Sequence, residues 1–477
     1  MWRLASSTVH KEAMLELGAA PLLVELLRVG TPAAREKAAG ALGFMAVGSS
    51  GNKSAIMDAG AVPLLVELIS SPDTKDGPGI AAGAIGNLAV ASAAHQAAIA
   101  AEGAVPPLVA LLENGRSASQ ENAAGALWNL SVMHVENQAL IGGAGAVPLL
   151  VRMMRNGAGP AAILKAAGAL RSLAALDQNK LAIAESGGIP ELVGLLLLPE
   201  EECPPAAKEH ACDALWAICR LGGETRKAAD RAGVLSALIG VIRGCPRTEV
   251  QEVALGMLGM LVAGGDAERE AVAELGGVEA VVAALASESP AAQSNAAGCI
   301  GNLAVAASDP GQADKPYPRN SLPDNAEGGA ASPAARRPRL ISHLARQQMV
   351  LAAGAVPLLL RVLQQSPPAP TKPLPSASAA GPCENAAGAL WNLALANPAA
   401  QRAIFEAGGI RPLVQVLSAG SAVARENAAG ALWCIVMDGQ SPSAAGAREQ
   451  VADEMAAKPL LALIGQEAAV GQPTGGA

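Results

Sequence analysis

The stretch Glu121–Leu130, ENAAGALWNL, returns almost letter for letter at Glu384–Leu393 and, with changes, elsewhere in the 477-residue chain. Read as a helix, it puts Ala123, Leu127 and Leu130 on one face and Asn122 with Asn129 on another. Upstream, Gly103-Ala-Val-Pro106 opens a second apolar helix with Leu108, Leu111 and Leu112 in phase, and a short Ala/Ile helix ends at Gly103. Gly suits the left-handed residue that ends a helix, and Pro suits the first turn of the next one, where its missing N–H costs nothing. The unit is therefore three helices.

With the Gly before the second helix as phase marker, the series runs Gly18, Gly60, Gly103, Gly145, Gly187, Gly233, Gly276, Gly354 and Gly408, with Met455 in the tenth slot. The intervals are 42, 43, 42, 42, 46, 43, 78, 54 and 47 residues. Self-similarity at this period overrides a domain count based on length and matches the armadillo and HEAT class rather than shorter repeats. The chain is 51% hydrophobic but only 2% aromatic, so its core is made of Ala, Leu, Val and Ile in many small contacts, as stacked helices allow.

The phrase DAGAVPLLVELI (Asp58–Ile69) together with ENAAGALWNLS resembles the armadillo repeats of catenins, importin α and plant U-box ligases, over nearly the whole chain. The resemblance implies an all-α, right-handed armadillo superhelix of three-helix repeats whose third helices line a concave groove. The expected organisation is a partial third helix over 1–8, seven repeats over 9–307 and an insertion over 308–342. Two further repeats follow over 343–437, interrupted by a Pro-rich insertion at 364–382, then a partial repeat over 438–464 and a tail over 465–477. Trp2-Arg-Leu-Ala5 aligns with Trp128-Asn-Leu-Ser131, as if the array were cut inside a third helix.

Thr31-Pro32 and Ser289-Pro290 read as helix starts, and Ser117 with Gln120 fits a capping box. The insertion from Ser308 to Ser342 breaks the periodicity with Pro, Gly, Asp and Asn, carries the run Arg336-Arg337-Pro338-Arg339, and reads as disordered. Deleting Gly311–Ala334 is expected to leave the unfolding midpoint nearly unchanged. Gln364–Pro382 favours an extended polyproline form.

Comparing slots between repeats shows what each tolerates. The Asn129 slot reads Phe44, Asn87, Asn129, Ser172, Ala217, Gly259, Asn302, Asn392 and Cys434. The slot before it reads Gly43, Gly86, Trp128, Arg171, Trp216, Leu258, Gly301, Trp391 and Trp433. A position that accepts both Gly and Trp is not expected in deep core. Seven residues before the Asn slot stand Asn122, Asn295, Asn385 and Asn427, with Lys37, Ile80, Lys165, His210 and Glu252 in other repeats.

A carboxamide both donates and accepts, so such a ladder could bind the backbone of an extended peptide while Trp offers apolar slots for its side chains. The ladder could instead hold neighbouring repeats together, and the Trp could pack in the seam. Candidate binding residues are thus Asn87, Asn122, Asn129, Asn295, Asn302, Asn385, Asn392 and Asn427 with Trp128, Trp216, Trp391 and Trp433. Gly125, Gly168, Gly388 and Gly430 cost a helix about 1 kcal/mol each relative to Ala, which points to close backbone approach between helices.

Importin α pairs its Asn with a Trp four residues earlier. That slot here is Gly125 or Gly388, so a pocket for Lys side chains is not expected. The net charge of −8 and pI near 5.3 argue against nucleic acid as main partner. Seven scattered cysteines without a Cys-x-x-Cys pair fit free thiols in a reducing compartment, hence the cytoplasm or the nucleus. The first residues lack a signal-peptide run. Gly77–Ala101 carries no charged residue but keeps the repeat phase, so no transmembrane segment is expected.

No phosphate loop, nucleophile elbow or His-Glu-x-x-His occurs; catalytic residues, metal ligands and cofactors are expected to be none. The expected function is a scaffold or adaptor for a protein or peptide partner. The alternatives are a nuclear-transport adaptor, or the recognition arm of a ubiquitin ligase whose catalytic domain lies elsewhere.

Overall fold

The computed structural model describes residues 14, 16–156, 159–305, 343–365, 381–437 and 442–453. The expected partial helix over 1–8, the insertion over 308–342, most of the Pro-rich segment and the tail over 465–477 lie outside the described residues. At the edges of the Pro-rich segment, Gln364 and Gln365 end the helix Ala355–Gln365 and Pro382 begins Pro382–Ala394. The segment is therefore shorter than the sequence reading made it. In the expected partial C-terminal repeat, the described part is the helix Pro442–Asp453.

All regular structure among the described residues is helical; the fold is an all-α solenoid. Every phase-marker Gly from Gly18 to Gly408 has a φ between 63° and 83°. This is the left-handed region that a Cβ disfavours, and it lets a short helix such as Val135–Gly143 turn at once into Ala146–Arg155. Thr31 and Ser289 cap their helices, accepting from Ala34 N (3.3 Å) and Ala292 N (3.2 Å). Ser117 does not: the helix begins at Ser117 itself, the N-cap residue is Arg116, and the Gln120 amide donates to Leu112 O at 3.0 Å. The capping box there is corrected to a tie between the second and third helices.

The chain divides into two compact units, Met1–Ala237 and Leu238–Ala477. In the first, the third helices Pro32–Ala46, Gly77–Ala89, Ser117–Ser131, Pro160–Leu173 and Pro205–Cys219 pack each on the next. Their buried faces are mostly Ala with one or two Leu, such as Ala123, Ala124, Leu127 and Leu130, all fully buried. Small side chains let these helices approach closely, and each buried Leu adds about 2 kcal/mol of burial. Second helices supply larger apolar residues, as Leu150, Val151, Met153 and Met154 do.

In the second unit the third helices Thr248–Ala263, Pro290–Ala304, Pro382–Ala394 and Ala422–Met437 stack in the same way. Pro290–Ala304 packs directly on Pro382–Ala394, although 78 residues separate their phase-marker glycines in the sequence. Asp266 accepts from two buried guanidinium groups, Arg269 at 2.9 Å and Arg346 at 3.0 Å, and Arg346 also donates to Leu303 O (3.3 Å) and Val305 O (3.4 Å). One carboxylate thus ties the short helices Asp266–Glu274 and His343–Ala352 to the end of Pro290–Ala304. Among the described residues no single helix is long and apolar enough to cross a membrane. The one apolar pair, His343–Ala352 with Ala355–Gln365, is bent by 71°.

Candidate binding surface

All eight ladder Asn residues are half-buried on third helices, and each Nδ2 donates to a carbonyl of the preceding third helix. Asn87 reaches Gly43 O at 3.0 Å, Asn122 Gly79 O at 3.0 Å and Asn129 Gly86 O at 3.0 Å. In the second unit Asn295 reaches Glu252 O at 2.8 Å, Asn302 Gly259 O at 3.0 Å, and Asn427 Glu384 O at 2.9 Å. Across the long insertion Asn385 reaches Ser294 O at 3.0 Å and Asn392 reaches Gly301 O at 3.1 Å. The ladder therefore joins repeat to repeat. At Asn87, Asn129, Asn302 and Asn392 this uses one N–H, and among the described residues the carboxamide oxygen accepts no hydrogen bond and is not fully buried.

The Trp slot lies beside it. Trp128 and Trp391 are half-buried, whereas Trp216 is 38% and Trp433 48% exposed. Trp128 leans across the seam: a Cβ added at Gly168 would stand 2.5 Å from Cε2 of its indole, and one at Gly430 would stand 2.5 Å from that of Trp391. The neighbour of Gly125 is the Lys165 stem at 3.2 Å, and that of Gly388 is Asn427 at 3.0 Å. The expectation of backbone approach at these four glycines is thus corrected. They make room for side chains of an adjacent repeat.

Backbone approach occurs about one helical turn away, in the Trp slot. A Cβ on Gly43 would meet Ala84 Cα at 3.1 Å, and one on Gly86 would meet Ala126 Cα at 3.1 Å. Gly43, Gly86 and Gly301 are buried, so the slot that accepts both Gly and Trp is core when it holds Gly. A Trp there reaches outward over the seam.

In the first unit charges stand in slots that other repeats give to Asn or Trp. Lys165 pairs with Glu121 at 2.7 Å and Arg171 with Asp213 at 2.6 Å. His210 meets Trp128 edge-on with ring centroids 5.1 Å apart. Burial, reinforced by Arg171 and opposed by Asp213, holds the His210 imidazole below its ordinary pKa. Cys434 faces Trp391; burial pushes its thiol up to about 11, with a hydrogen bond from Trp391 acting against that.

The sequence reading missed a second, buried polar ladder on the short helices. Asn137 Nδ2 donates to Gln96 O (3.2 Å) and Leu130 O (2.9 Å), and Asn179 to Gln138 O and Leu173 O, both at 3.0 Å. Gln96 bonds Asn129 O at 2.7 Å, and Gln347 bonds Asn392 O at 2.9 Å. These amides satisfy carbonyls at third-helix ends that would otherwise be buried without partners. Their sequence signal was a polar residue two to four places into the short helix.

The Armadillo/beta-catenin-like repeat family is matched at residues 49–75, 92–132, 266–305 and 397–436. No curated protein matches the chain. A crystal structure of an engineered protein is similar over 93% of this chain and 94% of its own, at 27% identity and a TM-score of 0.73. A second engineered protein is 31% identical over 50% of this chain and 93% of its own, at a TM-score of 0.45.

Proposed function

The chain belongs to the armadillo-repeat family, and from that premise we propose that it is a scaffold or adaptor binding an extended segment of a partner protein along its row of third helices. The observation that carries this is the pairing, along the third helices within each unit, of carboxamide oxygens that accept no hydrogen bond among the described residues with indoles that are half-buried or exposed. The oxygens at Asn87, Asn129, Asn302 and Asn392 are held in place because their own Nδ2 is already committed. Fixed acceptors at repeating intervals suit backbone N–H groups of an extended chain, and fixed indoles suit its apolar side chains at low entropic cost.

A lysine-rich import signal would need carboxylates free of cations and apolar walls for the lysine stems. Glu121 is neutralised by Lys165, and the position four residues before the Asn is Gly125 or Gly388 rather than Trp. The adaptor reading therefore stands ahead of the transport one. We place the protein in a reducing compartment, the cytoplasm or nucleus, because its seven cysteines are free and six of them buried.

Affinity capture with the full chain and with a Trp216→Ala/Trp433→Ala variant tests the proposal. Partners held by the first and lost by the second are expected, with a shift of Trp emission on binding. Partners retained undiminished by the double variant would place the binding surface elsewhere.

A further inference from the structure

Where the third helix Pro205–Cys219 ends, Arg220 stacks on Trp216 with its guanidinium carbon 4.6 Å from the ring centroid. The two wall an open pocket of about 410 Å³ that Ala175, Leu221, Asp177 and Lys180 also line. Asp177 and Lys180 neutralise each other at 2.7 Å. Of the cations along this face of the first unit, Lys37 pairs with Glu36, Lys165 with Glu121 and Arg171 with Asp213. Among the described residues Arg220 has no such carboxylate; its partner is the indole face.

We propose that this pocket receives an acidic side chain, Asp or Glu, of the bound peptide, with Arg220 as the carboxylate's partner. The inference rests on the peptide-binding reading of the third-helix row and adds the chemistry of one position in the peptide.

Three physical points carry it. The guanidinium is a planar fork matched to a carboxylate, and stacking on Trp216 restricts it before binding, so less freedom is lost when the bond forms. The pocket's charge is one positive unit once the Asp177–Lys180 pair is set aside. That balances a singly charged carboxylate, whereas a phosphate would remain in excess and stand near Asp177. The surfaces beside the guanidinium are Ala175, Leu221 and the indole, apolar groups that offer no competing hydrogen-bond partner to the carboxylate.

The test is selection of a random displayed peptide library on the full chain, followed by affinity measurements with the best binder and its Asp→Asn or Glu→Gln counterpart. The selected peptides should share one acidic position, and neutralising it should weaken binding about tenfold. Arg220→Gln should abolish that difference while binding the neutral peptide as tightly as the wild type does. Arg220→Lys should keep part of it. The exposed position of Arg220 means these variants fold, which the helical signal checks.

A difference within about twofold for the wild type, an acidic preference that persists in Arg220→Gln, or tighter binding of a phosphoserine peptide would overturn the proposal. Peptides whose binding ignores both Trp128→Ala and Trp433→Ala, or the selection of none, would sink the groove reading and this subsite with it. Peptides that need those indoles but show no acidic preference would sink the subsite alone.

Discussion

Replacing Gly168 by Ala isolates the indole seam. Gly168 lies inside the helix Pro160–Leu173, where Ala ordinarily stabilises by about 1 kcal/mol. Here the new Cβ would stand 2.5 Å, 2.7 Å and 2.8 Å from three atoms of the Trp128 indole, which must move. Overpacking of this kind costs about 1–3 kcal/mol. Displacing the ring also forfeits its edge contact with His210, about 1 kcal/mol. The expected net effect of Gly168→Ala is a loss of about 1–3 kcal/mol.

In a Trp128→Ala background the obstacle is gone, and the same substitution should stabilise by about 1 kcal/mol. The double-mutant cycle should therefore show a coupling of about 2–4 kcal/mol. Gly83→Ala is the control, since its nearest neighbour, the Asn122 carboxamide, would be 3.7 Å from the new Cβ, and it should stabilise. Urea unfolding followed by far-UV circular dichroism reads each variant. Repeat arrays can depart from two-state unfolding, so amide exchange within 160–173 gives the local measure. If Gly168→Ala stabilises equally in both backgrounds, the indole does not rest on Gly168 and the seam described above is wrong.

Asn129→Ala and Asn392→Ala should each cost about 1 kcal/mol of stability through the lost bond to Gly86 O or Gly301 O, read as a lower urea midpoint without any partner present. Asp266→Asn removes the shared partner of two buried arginines; because Asp266 is itself 38% exposed, the expected loss is about 2 kcal/mol rather than the full cost of breaking a buried pair, and amide exchange should rise first in 343–352. Met133 holds a φ of 54° with its side chain 94% exposed, so Met133→Gly should raise stability by about 0.5 kcal/mol as relief of strain outweighs added chain entropy. His210 is held below its ordinary pKa of 6.5 in the folded state, so the unfolded chain takes up the proton first. Stability should therefore fall as pH drops through 6.5, and His210→Gln should flatten that part of the pH profile.

The repeated phrase and the Gly series made the helices, their order and the stacked-repeat architecture legible from sequence. Those features depend on interactions within about fifteen residues: apolar phase along one helix, a left-handed Gly, a Pro in a first turn. The slot that takes both Gly and Trp reads from sequence as facing outward, yet Gly43, Gly86 and Gly301 in it are buried, because a missing side chain lets the neighbouring helix close in.

What Asn129 bonds to was not legible. A carboxamide donates and accepts equally well, and Gly86 lies 43 residues away; only the stacking register brings its carbonyl to 3.0 Å. The same register puts Trp128 over Gly168 and leaves Gly43 and Gly86 against the Ala84 and Ala126 backbones. The sequence by itself determined which residues each helix presents, since helical periodicity is local. Which atoms those residues meet was decided only by tertiary structure, because contacts between repeats depend on rotations and offsets of whole helices that no single repeat encodes.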